Sequence, residues 1–457
     1  MSNFILKTLE TRELKLNTIR LRGFYGGKLR KGSGGGGSGD GFPQLPGDVT
    51  RWHFGGLTNE MMAAMDDPRI EDADHKGRFL SFKNFAWKEG SGISDIYPGA
   101  LVFDGVDDWA GCDNLPLLPK EKGYSIIALR NWITRYDATQ YKRPLISNLD
   151  TNDEGAFLIE YRKDENVSDV TGSYNSFTDV YIDDNNPITW QTSSSYNGQI
   201  IKKGTSKSSN KLCICKTYFG QLSKYANAAI WEIVILDHDA TEEELTKIKD
   251  YFVKTYPWLF PDQAWTVVGK TNEDEDRATI ANITGNGNDL VCLNLGFIEG
   301  SGYNEEGEYA GYLVTDGVDD KITSSTFEMG NDWTVIGDWE LINTGKKDNA
   351  GIVKFDSIVI YNYNPILINI KNGRNNLIPD QNTVNAICSD GRIYSKDWKE
   401  SIYNEETEST SKNLLTIGYS GNSYTKIAFK NLAIYPTVLS KEDCIKAYNY
   451  LQTLKAK

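Results

Sequence analysis

The chain is poor in the residues that build metal centres. Its three histidines, His53, His75 and His238, lie far apart, none at the i, i+4 spacing of a zinc-binding helix, and no C-x-x-C occurs. No G-x-S-x-G elbow, P-loop or dinucleotide glycine motif is present, and the E-x-D-x-x-E strand signature of sandwich-fold glycosidases is missing. Two acids for glycoside cleavage can still come from distant strands, so that chemistry is not excluded. No apolar stretch approaches the ~20 residues that span a bilayer, so membrane insertion is not expected. The start M-S-N-F-I-L-K-T-L-E-T-R-E lacks the unbroken apolar core of a secretory leader. Positive charge is scarce too: the net charge is −14, and beyond residue 31 the balance is about −20. An acidic body disfavours nucleic acid as a partner, because phosphate contacts need clustered cations.

What the chain does have, it has twice. Trp52 opens W-H-F-G-G-L-T-N-E and Trp265 opens W-T-V-V-G-K-T-N-E. E-G-S-G occurs at 89–92 and 299–302, and D-G-V-D-D at 104–108 and 316–320. The step from Trp52 to Asp104 is 52 residues and that from Trp265 to Asp316 is 51, so the landmarks keep their distance. Two copies of one domain are the economical reading. Each copy ends alike, with a period-2 strand (230–236 and 427–434) followed by a capped helix. Thr241 with Glu244 forms a capping box, and Ser440 with Asp443 fills the same slots. Leu245, Ile248 and Phe252 make the apolar stripe of the first helix; Cys444, Ala447 and Leu451 make that of the second.

With 12% aromatics, 42 glycines and many short alternating runs, the body reads as mainly β. The expected organisation is an arm and linker at 1–41, a first domain at 42–261 and a second at 262–457. The six cysteines, Cys112, Cys213, Cys215, Cys292, Cys388 and Cys444, take no corresponding positions in the copies, which predicts free buried thiols. The Cys213-x-Cys215 alternation predicts two thiols on one strand face, packed in the core.

Residues 1–31 hold eight Lys/Arg against two Glu, with strand-like alternation at 14–22 and a glycine-rich tether at 32–41. A lone strand of this kind needs something to pair with. Lys15, Arg20, Arg22, Lys28, Arg30 and Lys31 are the candidate anchoring residues, against the plainer reading of a leader and linker of cloning origin.

Asp104, Asp107, Asp108 and Asp316, Asp319, Asp320 are the candidates for contact with an ion or a sugar, the ion in question being a hard cation such as Ca²⁺. The same D-G words equally mark a tight turn in which Gly takes positive φ and Asp bonds its own backbone. No other cofactor and no catalytic residue is indicated. Trp132 with Tyr136, Trp190 with Tyr196, and Trp398 sit in Asn/Ser/Thr/Asp-rich surroundings and are the candidate sugar-stacking rings; rings of this type more often belong to cores.

On these words each copy resembles the concanavalin A-like, laminin-G-like jelly-roll family, whose members often read F-D-G-x-D-D-Y, matched by 103–109 and, with Thr315 and Lys321 departing, by 315–321. The resemblance implies two tandem jelly-roll sandwiches, each closing with a short helix and preceded by an extended N-terminal arm. The wording W-x-x-x-G-x-T-N-E, I-T-G-N-G-N-D-L (283–290), E-G-S-G and D-G-V-D-D also resembles proteins of tailed phages of gut Bacteroides-type bacteria, including crAss-like phages. That implies a virion structural protein, a head or tail fibre or decoration, made in the host cytoplasm and released by lysis. Its implied partners are other virion proteins through the arm, further copies of itself, and host-surface glycans. A glycan-cleaving depolymerase and a ligand-free spacer are the alternatives.

Overall fold

The structure is a computed structural model. It describes residues 41–456 except 117, 119–122, 135–142, 149–156, 162–172, 175–176, 182–186, 193–194, 197–198, 201–209, 217–224, 343–350, 356–357, 362–365, 371–373, 379–383, 403–412 and 421–422. The anchoring residues proposed between Lys15 and Lys31 therefore lie outside the described residues.

The described chain is mainly β, with four eight-stranded sheets in two sandwich pairs, antiparallel except where Phe177–Tyr181 runs parallel to Phe157–Tyr161. Each sandwich is organised by one long strand near the chain end of its repeat. Asn227–Leu236 pairs along its length with Ser125–Trp132 and shares its other edge between Val49–His53 and Leu101–Asp104. Ile427–Tyr435 does the same with Thr334–Leu341, then with Gln263–Thr266 and Tyr312–Val314. Both long strands carry a bulge at the matching place, at Trp231 in the first half and at Lys430 in the second. A bulge bends the strand and re-aims one side chain.

Inward residues of facing sheets build two separate cores. Trp52, Phe103, Ile126 and Ile233 meet Leu80, Phe82, Ile146 and Ile214 in the first; Trp265, Val335, Phe429 and Leu432 meet Leu290, Ile322, Val353 and Leu415 in the second. Trp52 and Trp265 are fully buried, and each indole donates to a loop carbonyl, of Arg78 and Asn288 respectively. Truncating either would cost about 3–5 kcal/mol. The six cysteines are free and buried. The expectation of two thiols on one face fails: Leu212 and Ile214 face the core, Cys213 points the other way, and Cys215 turns back into the core through a left-handed φ of 59° just past the strand.

The long strands also depart from a polar outer face. From Ala228 to Leu236 every residue is buried, because helices and the opposite half cover what the alternation leaves outside. Three α-helices are described: α1 (Asn59–Ala63), α2 (Glu242–Thr255) and α3 (Lys441–Leu451). α2 starts in the expected capping box, and Ser440 caps α3 through the Asp443 amide. Ile248 and Phe252 of α2, and Cys444, Ala447 and Leu451 of α3, are buried as their spacing predicts. A repeated hydroxyl fixes the turn before each helix: Ser125 donates to His238 and accepts from Ala240, and Thr334 donates to Thr437 and accepts from Leu439.

α3 also reaches the first half. Tyr450 packs edge-on against Trp231 with ring centroids 6.2 Å apart, and Asn449 donates to the Asp95 carbonyl. In return the Trp258 carbonyl, just after α2, accepts from Tyr435, and Lys446 lies 4.4 Å above the Trp258 ring. The bulge residue Trp231 is thereby the anchor of the junction between the sandwiches.

Candidate functional site

The repeated sequence words converge in space, once per sandwich. Asn59 of T-N-E makes two hydrogen bonds to the Ile93 backbone, and Asn272 makes the same pair to Tyr303. The neighbouring Gly92 and Gly302 hold φ of 148° and 155°, and a Cβ there would lie 2.3 and 2.5 Å from those Asn oxygens. Ser301 of E-G-S-G accepts from Gly296 and donates to the Asp320 carboxylate at 2.7 Å; Ser91 accepts from Ala86 and its hydroxyl neighbours the Asp108 carboxyl.

In the D-G-V-D-D loops the first Asp closes the turn. Asp104 Oδ1 accepts from the amides of Val106, Asp107 and Asp108, and Asp316 Oδ1 from those of Val318, Asp319 and Asp320. Gly105 and Gly317 both take φ of 77°. The last Asp is buried and accepts from the first Asp's amide, at 3.1 Å for Asp108 and 2.7 Å for Asp320. Burial, with the Asp104 and Asp107 charges added, pushes the Asp108 carboxyl up to about 6, and Asp320 is raised for the same reasons. One oxygen of each, Asp108 Oδ1 and Asp320 Oδ1, has no hydrogen-bond partner. Carboxylate oxygens of each triad lie within 4.8 Å of one another, a spacing that one hard cation would bridge. Asp104, Asp107 and Asp108, or their counterparts, would hold it; the bonds present are those of the turn.

Among the candidate rings, Trp132 is only 6% exposed and part of the first core, so it presents no face for stacking. Trp190 and Tyr196 fall on the strands Ile188–Thr192 and Ser195–Tyr196, with side chains outside the described set, and Tyr136 lies outside it altogether. Trp398 is half-buried in a tight loop, at a left-handed φ of 56°, with its amide bonded to the Ser395 carbonyl. Backbone held in that region by a bulky residue is strained, and such strain gathers at functional places.

Trp398 heads a row of rings on the outer face of the second sandwich. It meets Tyr448 of α3 edge-on at 5.7 Å, the Tyr448 phenol neighbours the Asp338 carboxylate, and Tyr312 donates to Asp338 Oδ1 at 3.1 Å. Tyr309 stands 6.4 Å from Tyr312, and Lys430, the bulge residue, lies 5.5 Å above the Tyr312 ring and 3.9 Å from Asp338. Glu340, two residues beyond Asp338, approaches Lys396 at 3.9 Å. Burial and the Asp338 charge push both phenols above their usual value, so they stay protonated donors. Beneath them Asn431, paired in register with Asp338, has both side-chain polar atoms buried without a partner. Sequence reasoning found only Trp398 of this group. The hint for the others was helical: Cys444 and Tyr448 are four apart on the face of α3 that meets the sheet.

A separate cleft of about 610 Å³ lies between the sandwiches, lined by Ile188, Leu245 and Phe260 of the first half and Ile283 and Leu454 of the second, with Glu242 and Lys249 at its polar side.

No family model and no curated protein matches the chain. Among solved structures it is similar to the Trypanosoma rangeli sialidase, with 8% identity over 83% of this chain and 67% of that one, at a TM-score of 0.31. It is similar to the binding domain of botulinum neurotoxin DC in complex with SialylT, at 10% identity, 79% and 95% coverage and a TM-score of 0.30. The receptor-binding domain of botulinum neurotoxin type G aligns at 12% identity over 41% and 50%, with a TM-score of 0.26. Similarity at this level transfers no site, and the sandwich architecture rests on the strand pairing above.

Proposed function

We propose that this chain is a non-enzymatic attachment protein of a virion, with a basic arm seated in a larger assembly and two sandwiches that hold surface glycans weakly and many at a time. The observation that carries the glycan reading is the row Trp398, Tyr448, Tyr312 and Tyr309 around Asp338. Sugar rings stack on aromatic faces through their C–H groups while neighbouring phenols, carboxylates and amides bond the hydroxyls, and this row offers both. The row is assembled from the sheet and α3, and weak binding there would be multiplied by copy number. The virion setting rests on the resemblance of the repeated sequence words to those of phage proteins and on the contrast between a basic arm and an acidic body.

The test is a panel of bacterial surface polysaccharides presented to the full chain, with Trp398→Ala and Tyr448→Phe as variants. Binding that falls about tenfold or more in Trp398→Ala, with unfolding unchanged, supports the site. Binding unaffected by both variants overturns it. Shortened polysaccharide products would favour the cleaving alternative, with Asp338 and Glu340 as the acids to replace. Imaging purified virions and finding no density for residues 1–41 among other virion proteins would sink the anchored reading separately.

A further inference from the structure

The second sandwich holds two thiols that the ligand face does not use. Cys388 ends the strand Val384–Cys388, and Cys444 is the fourth residue of α3. Both are fully buried and neighbour each other across the joint between helix and sheet. The joint is polar for an interior. The Thr334 hydroxyl lies 3.7 Å from Cys388 Sγ and also accepts from the Leu439 amide. The Leu439 carbonyl faces Cys444 Sγ at 4.0 Å and accepts from Arg392 at 3.0 Å.

The other four cysteines have no such setting. Burial raises the thiols of Cys112, Cys213, Cys215 and Cys292. Cys388 alone is lowered, by the neighbouring Cys444 thiol first, with Thr334 and the Arg392 charge adding to it against burial. A thiol becomes a nucleophile where donors and positive charge favour the thiolate.

We propose that Cys388 and Cys444 are a modification site, an oxidisable dithiol whose disulfide clamps the first turn of α3 to its sheet. The oxidant is hydrogen peroxide. The Cys388 thiolate attacks one peroxide oxygen, the O–O bond breaks, and the departing hydroxide leaves as water with the proton the thiol gave up. Cys444 sulfur then attacks the sulfenic sulfur; the S–S bond forms, the S–O bond breaks, and a second water carries off the second thiol proton. Two thiols lose two electrons and the peroxide gains two. Because both sulfurs are buried, the reaction passes through local opening of the start of α3 and is slower than at an exposed thiol. The clamp acts where it matters for the fold, since α3 carries both Tyr448 of the ring row and Tyr450 of the junction. It is independent of the glycan reading.

The experiment uses the full chain, purified in reductant, treated with hydrogen peroxide and mapped as non-reduced peptides after alkylation of the remaining thiols in denaturant. The expected result is a linked peptide pair containing Cys388 and Cys444, with the thermal midpoint raised by about 4 °C relative to the reduced chain. Recovery of both cysteines alkylated from oxidised, folded protein overturns the proposal, as does a link that leaves the midpoint unmoved. The map needs no substitution, so a Cys388→Ser chain that failed to fold would not blunt it. Where Cys388→Ser does fold, the midpoint should no longer respond to peroxide, while Cys292→Ser should respond as the unaltered chain does; any other pattern overturns the assignment.

Discussion

Under its closing helix each half places the same backbone and very different side chains. In the first half the outward positions are Arg51 and Glu232, an ion pair of 2.9 Å that is fully buried and completed by the hydroxyls of Tyr251 and Tyr256. The register puts Ala264 and Asn431 at those places in the second half, and Asn431 goes unpartnered. The bulge residue is Trp231 in one, locked against Tyr450, and Lys430 in the other, lying over a half-buried tyrosine. One outer face has become an internal joint and the other has kept polar groups at its surface. Duplication supplied the scaffold twice, and the side chains at the bulge and beneath the helix divided the work.

The largest break in this comparison comes from removing one member of the buried pair. Arg51→Ala or Glu232→Ala should destabilise the first sandwich by about 3–5 kcal/mol, since either leaves an uncompensated charge in the interior. The double change Arg51→Met with Glu232→Leu should lie nearer the unaltered chain than either single change. Asn431→Leu in the second half should be neutral or stabilising by about 1 kcal/mol, because it removes a buried amide with no partner. Urea unfolding followed by tryptophan fluorescence decides all of these; a Glu232→Ala cost no greater than that of Asn431→Leu would refute the contrast.

Next come the shared glycines. Gly302→Ala should cost about 2–3 kcal/mol, combining a left-handed φ with a Cβ 2.7 Å from Phe297 Cα and 2.8 Å from Ile298 N. Gly92→Ala should cost less. Its worst clash is with the Asn59 side chain, and its nearest backbone atom is 3.0 Å away. Equal costs in the two halves would show that φ, rather than crowding, sets the penalty.

These pairs also show how much the sequence disclosed. The long strands and closing helices were legible because their cues are local, an alternating run followed by a hydroxyl cap and an acid three residues on. The T-N-E, E-G-S-G and D-G-V-D-D words were legible as repeats, but their use was not. An aspartate that caps three amides and one that waits for a cation read the same in one dimension. The ring row was almost invisible, because Tyr309, Asp338, Trp398, Lys430 and Tyr448 come from five separate segments that only the sheet and α3 bring together. Trp132 misled because Asn131 and the polar run after it made its surroundings look exposed, while the strand turned the ring inward.

The third prediction concerns the rims. A carboxyl whose folded value is raised contributes stability that is fully present below its ordinary value and lost as pH rises through the folded one. For Asp108 the window runs from 3.8 to about 6. The first sandwich should lose about 3 kcal/mol across it, and Asp108→Asn should flatten that part of the stability profile. Asp320 has the same sign, so Asp320→Asn should flatten the second sandwich's profile likewise. A profile unchanged by Asp108→Asn would mean that the carboxyl is already neutralised, and a cation held by the triad would be the first suspect.

The smallest effect belongs to His238, which has Thr437 as its counterpart. It sits between Asp237 Oδ1 at 3.2 Å and Glu244 Oε1 at 3.1 Å, at the cap of α2. Burial works against its imidazolium, and the two carboxylates more than offset that, so its value is raised above the usual 6.5. Its contribution is therefore complete below 6.5 and lost as pH rises through the raised value. Glu244 has the opposite sign: burial is outweighed by the Thr241 and His238 bonds, its value is lowered from 4.5, and its contribution disappears as pH falls. Between those limits the cap holds both charges, and α2 should be tightest there. His238→Gln should remove the decline on the alkaline side and leave the acid side in place, read by amide exchange of Leu245 against Cys444. An alkaline decline shared equally by Cys444, whose half has no histidine at this cap, would show that the cause lies elsewhere than in His238.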